Sequence, residues 1–277
     1  MELVRRGLAS DIDEARALIS ALRIVVNGAC AVNVARLVSP GEAISVLDLP
    51  PKFVGRGGLK LEAALEHFQI DVAAKRVLDA GSSTGGFVDC VCQRGAAAVA
   101  AVDVGRGQLH SRVRGDPRVR VYEGVNVRSI TLGDVGGVPF DVVTADLSFI
   151  SLAKVVGALI SVAAPGADLV LLVKPQFECT RKEASIGRGV VSDPAVWLRA
   201  LEDIAVALAR AGAVLRASMV SPVRGADGNT EFFVHATVGK ARQGALLTER
   251  ARKEFPAVVA AAGSRARDRG PQAGCTL

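Results

Sequence analysis

The run Val77-Leu78-Asp79-Ala80-Gly81-Ser82-Ser83-Thr84-Gly85-Gly86-Phe87 limits the fold more than any other stretch of the chain. Its apolar start, Val77–Ala80, reads as a buried strand, and Gly86–Gln93 reads as a helix. A strand that enters a helix through Gly, Ser and Thr sets bare backbone amides at the helix N-terminus, where a ligand can approach. The same alternation continues downstream. Strands are expected at Ala97–Val102 (ending at Asp103), Val119–Tyr122, Phe140–Asp146 and Asp168–Lys174. Helices are expected at Leu59–Phe68, Ile150–Ala163 and Pro194–Ala211. Val214–Val220 and Glu231–Val238 read as a closing hairpin. This pattern predicts an α/β fold: a mostly parallel sheet with helices on both faces and an antiparallel last strand.

Two acids beside the turn narrow the ligand. Asp103 stands about twenty residues past it, where a carboxylate accepts hydrogen bonds from a ribose diol. A cofactor containing a nucleoside is therefore expected. A dinucleotide site calls for G-x-G-x-x-G, and the run here is G-S-S-T-G-G. Asp79 precedes the turn, and a carboxylate there repels a pyrophosphate but suits a cation. S-adenosylmethionine carries a sulfonium and an ammonium, so it fits better than a dinucleotide. The candidate cofactor residues are Asp79, Gly81, Ser82, Ser83, Thr84, Gly85, Gly86, Phe87 and Asp103, with Asp146 from a later strand. Asn126 follows the third strand, where such folds contact the adenine; an Asx-type turn explains it nearly as well. A tight turn without a ligand would leave Asp103 unexplained.

The chain has 277 residues, half of them hydrophobic, enough for one large domain or a medium domain plus a small one. Its net charge of +6 points to an anionic partner. Most of the surplus lies at the end, where residues 240–277 carry eight basic and three acidic side chains. The segment 241–277 reads as a basic, partly disordered tail, with Gly263–Leu277 disordered. Five scattered cysteines do not form a disulfide framework, and Cys90 and Cys92 lack the further ligands of a zinc site, so no metal is expected. The longest uncharged stretch, Val155–Ala167, is too short to span a bilayer, and no signal-peptide pattern opens the chain. No membrane partner is expected, and the expected setting is a reducing cytoplasm.

Residues 1–48 read as a separate small unit. A helix from Ser10 to Leu22 leads to Ile24-Val25-Val26 and an Asn27-Gly28 hairpin turn, then to the strand Ile44-Ser45-Val46. Residues 49–55 form a linker stiffened by Pro50 and Pro51. The domain proper is placed at 56–240.

Four charges stand at the ends of apolar strands or the start of a helix: Lys60, Asp146, Lys174 and Glu231. In an open sheet the carboxyl ends of the strands share one rim, and ligands bind there. A ribose 2′-hydroxyl must lose its proton as it attacks a methyl group. A lysine takes that proton only if it is neutral, and a second lysine with partial burial favours the neutral form. Lys174 is the expected general base. Lys60 and Glu231 position it and the hydroxyl, and Asp146 sits between Lys174 and the cofactor. Most of the rate then comes from positioning and an activated carrier.

The order Lys60, Asp146, Lys174, Glu231 resembles the K-D-K-E tetrad of the FtsJ-like 2′-O-ribose methyltransferases. Residues 1–48, with IVVNG and PGEAISV, resemble an S4-like RNA-binding domain. Together with LDAGSSTGGF, DVGRGQL, ADLSFISL, LVKPQFE, GRGVVSDP and GNTEFF, the chain resembles the TlyA family of ribosomal RNA cytidine 2′-O-methyltransferases, long called haemolysins. The resemblance implies a Rossmann-like, S-adenosylmethionine-dependent methyltransferase domain behind an S4-like domain. It implies methylation of cytidine ribose in 16S and 23S ribosomal RNA, within 30S and 50S subunits. Arg5, Arg6, Arg16 and Arg56 are the cations it leaves to meet RNA phosphate. Two departures stand out: the basic lead of an S4-like domain is missing, and Asp11-Ile12-Asp13-Glu14 occupies the place of its basic pair. The alternatives are an rRNA-binding protein impaired in catalysis and, against the lack of any spanning apolar segment, a haemolysin.

Overall fold

Near-continuous apolar runs bounded by turn residues form central strands buried on both faces. The computed structural model describes residues 2–20, 23–27, 29–31, 33–47, 52–225, 227–239 and 249–267. The chain divides into two compact units, Met1–Lys52 and Phe53–Leu277.

In the first unit, helices α1 (Glu2–Arg5) and α2 (Ile12–Ser20) accompany strands β1 (Ile24–Val26), β2 (Ala29–Cys30) and β3 (Ile44–Val46). The strand order is β2-β1-β3, all antiparallel. Val26 pairs with Ala29, and Asn27 takes φ 50°, the left-handed value that an Asn-Gly hairpin turn requires. Leu3, Ala15, Leu18, Ile24 and Val26 close a small core. The helix expected to reach Leu22 runs to Ser20, and Leu22 lies outside the described residues.

The second unit opens with α3 (Gly57–Phe68), β4 (Arg76–Ala80), α4 (Gly86–Gln93), β5 (Ala98–Asp103), the short α5 (Ser111–Arg114) and β6 (Val119–Glu123). It continues through β7 (Phe140–Ala145), α6 (Val156–Ser161), β8 (Ala163–Val173), α7 (Pro175–Glu178) and α8 (Arg181–Ile186). It ends with α9 (Pro194–Ala211), β9 (Ala213–Val220), β10 (Phe232–Val238) and α10 (Glu249–Arg267). The sheet order is β6-β5-β4-β7-β8-β10-β9, with β10 inserted between β8 and β9 and antiparallel to both. Successive residues of a strand face opposite sides. Phe232 therefore meets Trp197 of α9 on one face (ring centroids 5.8 Å apart), and Phe233 stacks on Phe87 of α4 on the other (6.1 Å). Helix α9 starts where the Asp193 side chain accepts from the Ala195 amide, with Pro194 in the first turn, and stops at Gly212 (φ 91°).

Two expectations change. The helix expected at Ile150–Ala163 is instead a 3-10 turn, Leu152–Lys154, followed by the shorter α6, and β8 begins at Ala163. Phe140 pairs with Ala163 while Val142 pairs with Asp168, so an irregularity absorbs the extra residues around Pro165 and Gly166. The second change concerns the tail. Instead of disorder from Gly263, helix α10 continues to Arg267. Phe255, Val259 and Ala262 are buried in the main core, and Glu254 accepts from the amide and hydroxyl of Ser218 on the edge strand β9. Helical spacing of the three apolar residues supplies the burial that a composition-based reading of the tail overlooks.

Candidate active site

The sheet register assembles the four charges. Ala80 pairs with Ala145, so Asp146 follows β7 beside the Gly81 turn, and its amide donates to the Ala80 carbonyl (3.0 Å). Phe232 pairs with Val173 in antiparallel register, so Glu231 enters β10 as Lys174 leaves β8. Lys60 reaches the same rim from the first turns of α3. Two ion pairs result. Lys60 Nζ donates to Glu231 Oε2 at 2.5 Å, and both residues are buried. Lys174 Nζ stands 2.6 Å from Asp146 Oδ1 and donates to Ser148 Oγ at 3.0 Å. The contact with Asp146 is close but off the line of a hydrogen bond, which leaves Oδ1 an unfilled acceptor direction. Gly225 leaves room for Glu231: a Cβ there would sit 2.6 Å from Oε1.

Three cavities meet at this point. One of about 610 Å³ is lined by Arg56, Lys60, Phe149, Lys174, Gln176 and Glu231. A narrow one of about 170 Å³ lies against Ser82, Thr84, Gly86, Phe87 and Lys174. A third, of about 530 Å³, runs along Asp103, Gln108, Asn126, Leu147 and Phe149. Ser83, Asp146 and Ser148 line all three. Two glycines fix the turn between them. Gly81 has φ 84°, and a Cβ on it would lie 2.6 Å from the Asp146 carbonyl oxygen. A Cβ on Gly86 would lie 2.9 Å from the Gly58 amide nitrogen, so the turn seats directly against α3.

Asp103 accepts from the Ser83 amide (2.8 Å) and the Gly105 amide (2.7 Å), which ties the Gly-rich turn to the end of β5. A carboxylate has about four lone-pair directions, so capacity remains for a diol. Asn126 forms the Asx turn, its Oδ1 accepting from the Arg128 amide (3.0 Å), and it also lines the 530 Å³ cavity.

Asp79 departs from expectation. It lines none of the three cavities and lies fully buried beneath the turn, where it pairs in register with Thr144 and accepts from that hydroxyl (2.7 Å). Its other oxygen is buried without a hydrogen bond. Burial pushes the carboxyl up from 3.8 to about 7, against the Thr144 hydrogen bond, with Asp146 and Asp103 adding to the rise. The folded state thus holds a proton that the unfolded chain releases near pH 3.8. Asp79 contributes its full stability below that pH, and the contribution is lost as pH rises through about 7. Asp79→Asn should therefore raise the melting temperature at pH 8 but change it little near pH 3.5, with an intermediate gain at pH 5. At about 1.4 kcal/mol per pKa unit the gain at pH 8 is at most ~4 kcal/mol. Equal shifts at pH 8 and pH 3.5 in thermal scans would refute this.

The basic residues assigned to RNA differ in their freedom. Arg6 pairs with Glu2 (2.6 Å) and donates to the carbonyls of Glu42 (2.7 Å), Ser39 and Pro40 (3.2 Å each), so it holds the small unit together. Arg5 also pairs with Glu2 but is exposed, and Arg16 is exposed 3.7 Å from Asp13. Arg56 lines the 610 Å³ cavity. Sequence reading missed Ser148 and Glu178. Glu178 is a partly buried acid that accepts from the Ser151 hydroxyl and the Leu152 amide (2.6 Å each), and so ties the loop after β7 to α7. Burial raises its pKa. The signal for Ser148 was its position two residues beyond a strand-end acid.

Comparison with known proteins adds an independent line. Residues 53–238 match the model of the FtsJ-like methyltransferases. The chain is 46% identical over 234 residues to a Mycobacterium tuberculosis protein named 16S/23S rRNA (cytidine-2'-O)-methyltransferase TlyA, covering 84% of this chain and 87% of that one. It is 34% identical to Hemolysin A of Brachyspira hyodysenteriae, covering 83% and 95% respectively. A solved structure from Streptococcus thermophilus that carries a hemolysin name superposes with a TM-score of 0.73 at 32% identity, covering 96% of this chain and 95% of that one.

Proposed function

Because the chain belongs to the FtsJ-like methyltransferases and, among them, to the TlyA family, we propose that it methylates the ribose 2′-hydroxyl of cytidine in 16S and 23S ribosomal RNA. The observation that carries this reading is the junction of three cavities at Asp146 and Ser148, with Lys174 beside both. The two smaller cavities suit a nucleoside joined to an amino acid. Asp103 and Asn126 would hold the nucleoside end, and the amides of the Gly81–Gly86 turn and Asp146 the other. When bound, S-adenosylmethionine supplies a methyl group on a positively charged sulfur. Asp103→Ala should weaken binding of this cofactor about 10- to 100-fold, since a charged acceptor to a diol is lost. Unchanged affinity by calorimetry would remove Asp103 from the site.

The chain's own residues then position and deprotonate the ribose. Arg56 and the wide 610 Å³ cavity receive the nucleotide, with phosphate matched to guanidinium. Lys60, fixed by Glu231, stands beside the acceptor hydroxyl. Lys174 takes up its proton from the neutral state, and Asp146 holds that amine in place. The unit Met1–Lys52 is the RNA-docking module, through Arg5 and Arg16. In this reading both 30S and 50S subunits are substrates. The haemolysin names of relatives bring no membrane-crossing element with them: among the described residues no helix is long and apolar enough to cross a membrane.

The test adds methyl-labelled S-adenosylmethionine to unmodified small and large subunits separately. Label in cytidine ribose of both supports the full reading. Label in one alone would assign a single substrate and point to the acidic Asp11–Glu14 segment. A protein that binds cofactor and labels neither would be a binding protein.

A further inference from the structure

We propose that Ser148 is a catalytic residue, whose hydroxyl relays the ribose 2′-proton to Lys174. The relay rests on the methyltransferase reading of the site. Lys174 Nζ has Asp146 Oδ1 at 2.6 Å and Ser148 Oγ at 3.0 Å. As an ammonium, a lysine offers three donors and no acceptor. To receive a proton it must be neutral, with two N–H bonds and one lone pair. An ionised carboxylate only accepts, so Asp146 can hand the amine no proton in either state. A hydroxyl both donates and accepts. The Ser148 contact therefore survives the change by reversing direction: Oγ accepts from the ammonium, and O–H donates to the amine. In the second arrangement the Oγ lone pairs are left for a hydroxyl in the cleft.

Position supports the role. Ser148 is exposed, and it lines the cofactor cavities and the 610 Å³ cavity alike. Among the described residues its hydroxyl donates to no protein acceptor. Of the two other residues at the junction, the Asp146 carboxylate only accepts, and the Ser83 hydroxyl donates to Gln108 Oε1 (3.4 Å) and not to Lys174. In the relay the 2′-proton passes to Ser148 Oγ as the Ser148 proton passes to Lys174 Nζ. The oxygen's electron pair forms the bond to the methyl carbon, and the pair of the broken carbon–sulfur bond stays on sulfur. Lys174 ends as an ammonium, Ser148 is restored, and the positive charge has moved from sulfur to Lys174.

The experiment measures single-turnover methyl transfer to ribosomal subunits, with cofactor affinity measured by calorimetry. Ser148→Ala should lower the rate about 100-fold or more, a loss far larger than any change in cofactor affinity or melting temperature. Ser148→Thr should restore most of the rate, because it returns the hydroxyl. In mixtures of light and heavy water the wild-type rate should follow a curved dependence, from two protons in flight, and the alanine variant a linear one. A wild-type rate in Ser148→Ala, or a linear dependence in the wild type, overturns the relay. A wild-type protein that binds cofactor and transfers no label overturns the reaction assignment itself, and the relay with it.

Discussion

Lys174→Ala should reduce methyl transfer about 10³-fold, the range expected when a general base is removed, and leave the protein folded and able to bind its cofactor. Lys174 closes β8 at the junction of the three cavities, and its amine is the nitrogen that meets both Asp146 and Ser148. Most of the cofactor cavity lies along Asp103, Gln108 and Asn126, away from the truncated side chain. Losing the cation does leave Asp146 without its partner. Asp146 Oδ1 is buried against that amine, however, and truncating Lys174 opens it to the water of the adjoining cavities, while the rest of the carboxylate side chain is already partly exposed. The measurement is single-turnover label transfer beside calorimetric affinity. Transfer within tenfold of wild type would end the base assignment, and loss of cofactor binding would move Lys174 into the cofactor site.

Glu231→Ala should destabilise the protein by about 3–5 kcal/mol, the cost of leaving a buried charge unpaired. Lys60 and Glu231 lie 2.5 Å apart, with side chains 10% and 2% exposed. The alanine strands an ammonium between α3 and β10, and Lys60→Ala strands the carboxylate in the same way. The double variant Lys60→Met with Glu231→Leu should regain most of the lost stability, since apolar replacements of a buried ion pair are often neutral or better. That variant should nonetheless transfer no methyl group. Denaturant unfolding read beside label transfer separates the two effects. Single variants as stable as wild type would show that the pair is solvated in solution, and an active double variant would show that it takes no part in the chemistry.

Much of the site was legible because the fold places strand ends together. Asp146 and Lys174 each terminate an apolar run, and a parallel sheet carries such ends to one rim. Glu231 needed one more inference, that the last strand runs antiparallel, and the insertion of β10 beside β8 meets it. Asp79 was misread. An acid ahead of a Gly-rich turn resembles a ligand contact, yet the register pairs it with Thr144 and turns it into the sheet. Only the cross-strand partner reveals this, and a single sequence does not print cross-strand partners. Ser148 was missed because a loop serine has no periodicity to mark it. Helix α10 was missed for a different reason. Its basic charge and the Gly, Arg and Ala after Gly263 suggested a partly disordered tail, while Phe255, Val259 and Ala262 kept a helical spacing that packs on α9 and β9.

That last helix bears on how the protein is made. Synthesis runs from the N-terminus, so every strand of the sheet emerges before Glu249 does. Until then β9 is a bare edge, with the Ser218 amide lacking the Glu254 carboxylate and the groove for Phe255 open. Bare edges recruit strands from other chains. A nascent chain stalled after Val238 would carry the whole catalytic rim and still be prone to aggregate. The helix from Glu249 thus supplies both the acceptor for the Ser218 amide and the ring that fills the groove, so a chain cut after Val238 should aggregate more readily than one that reaches Arg267.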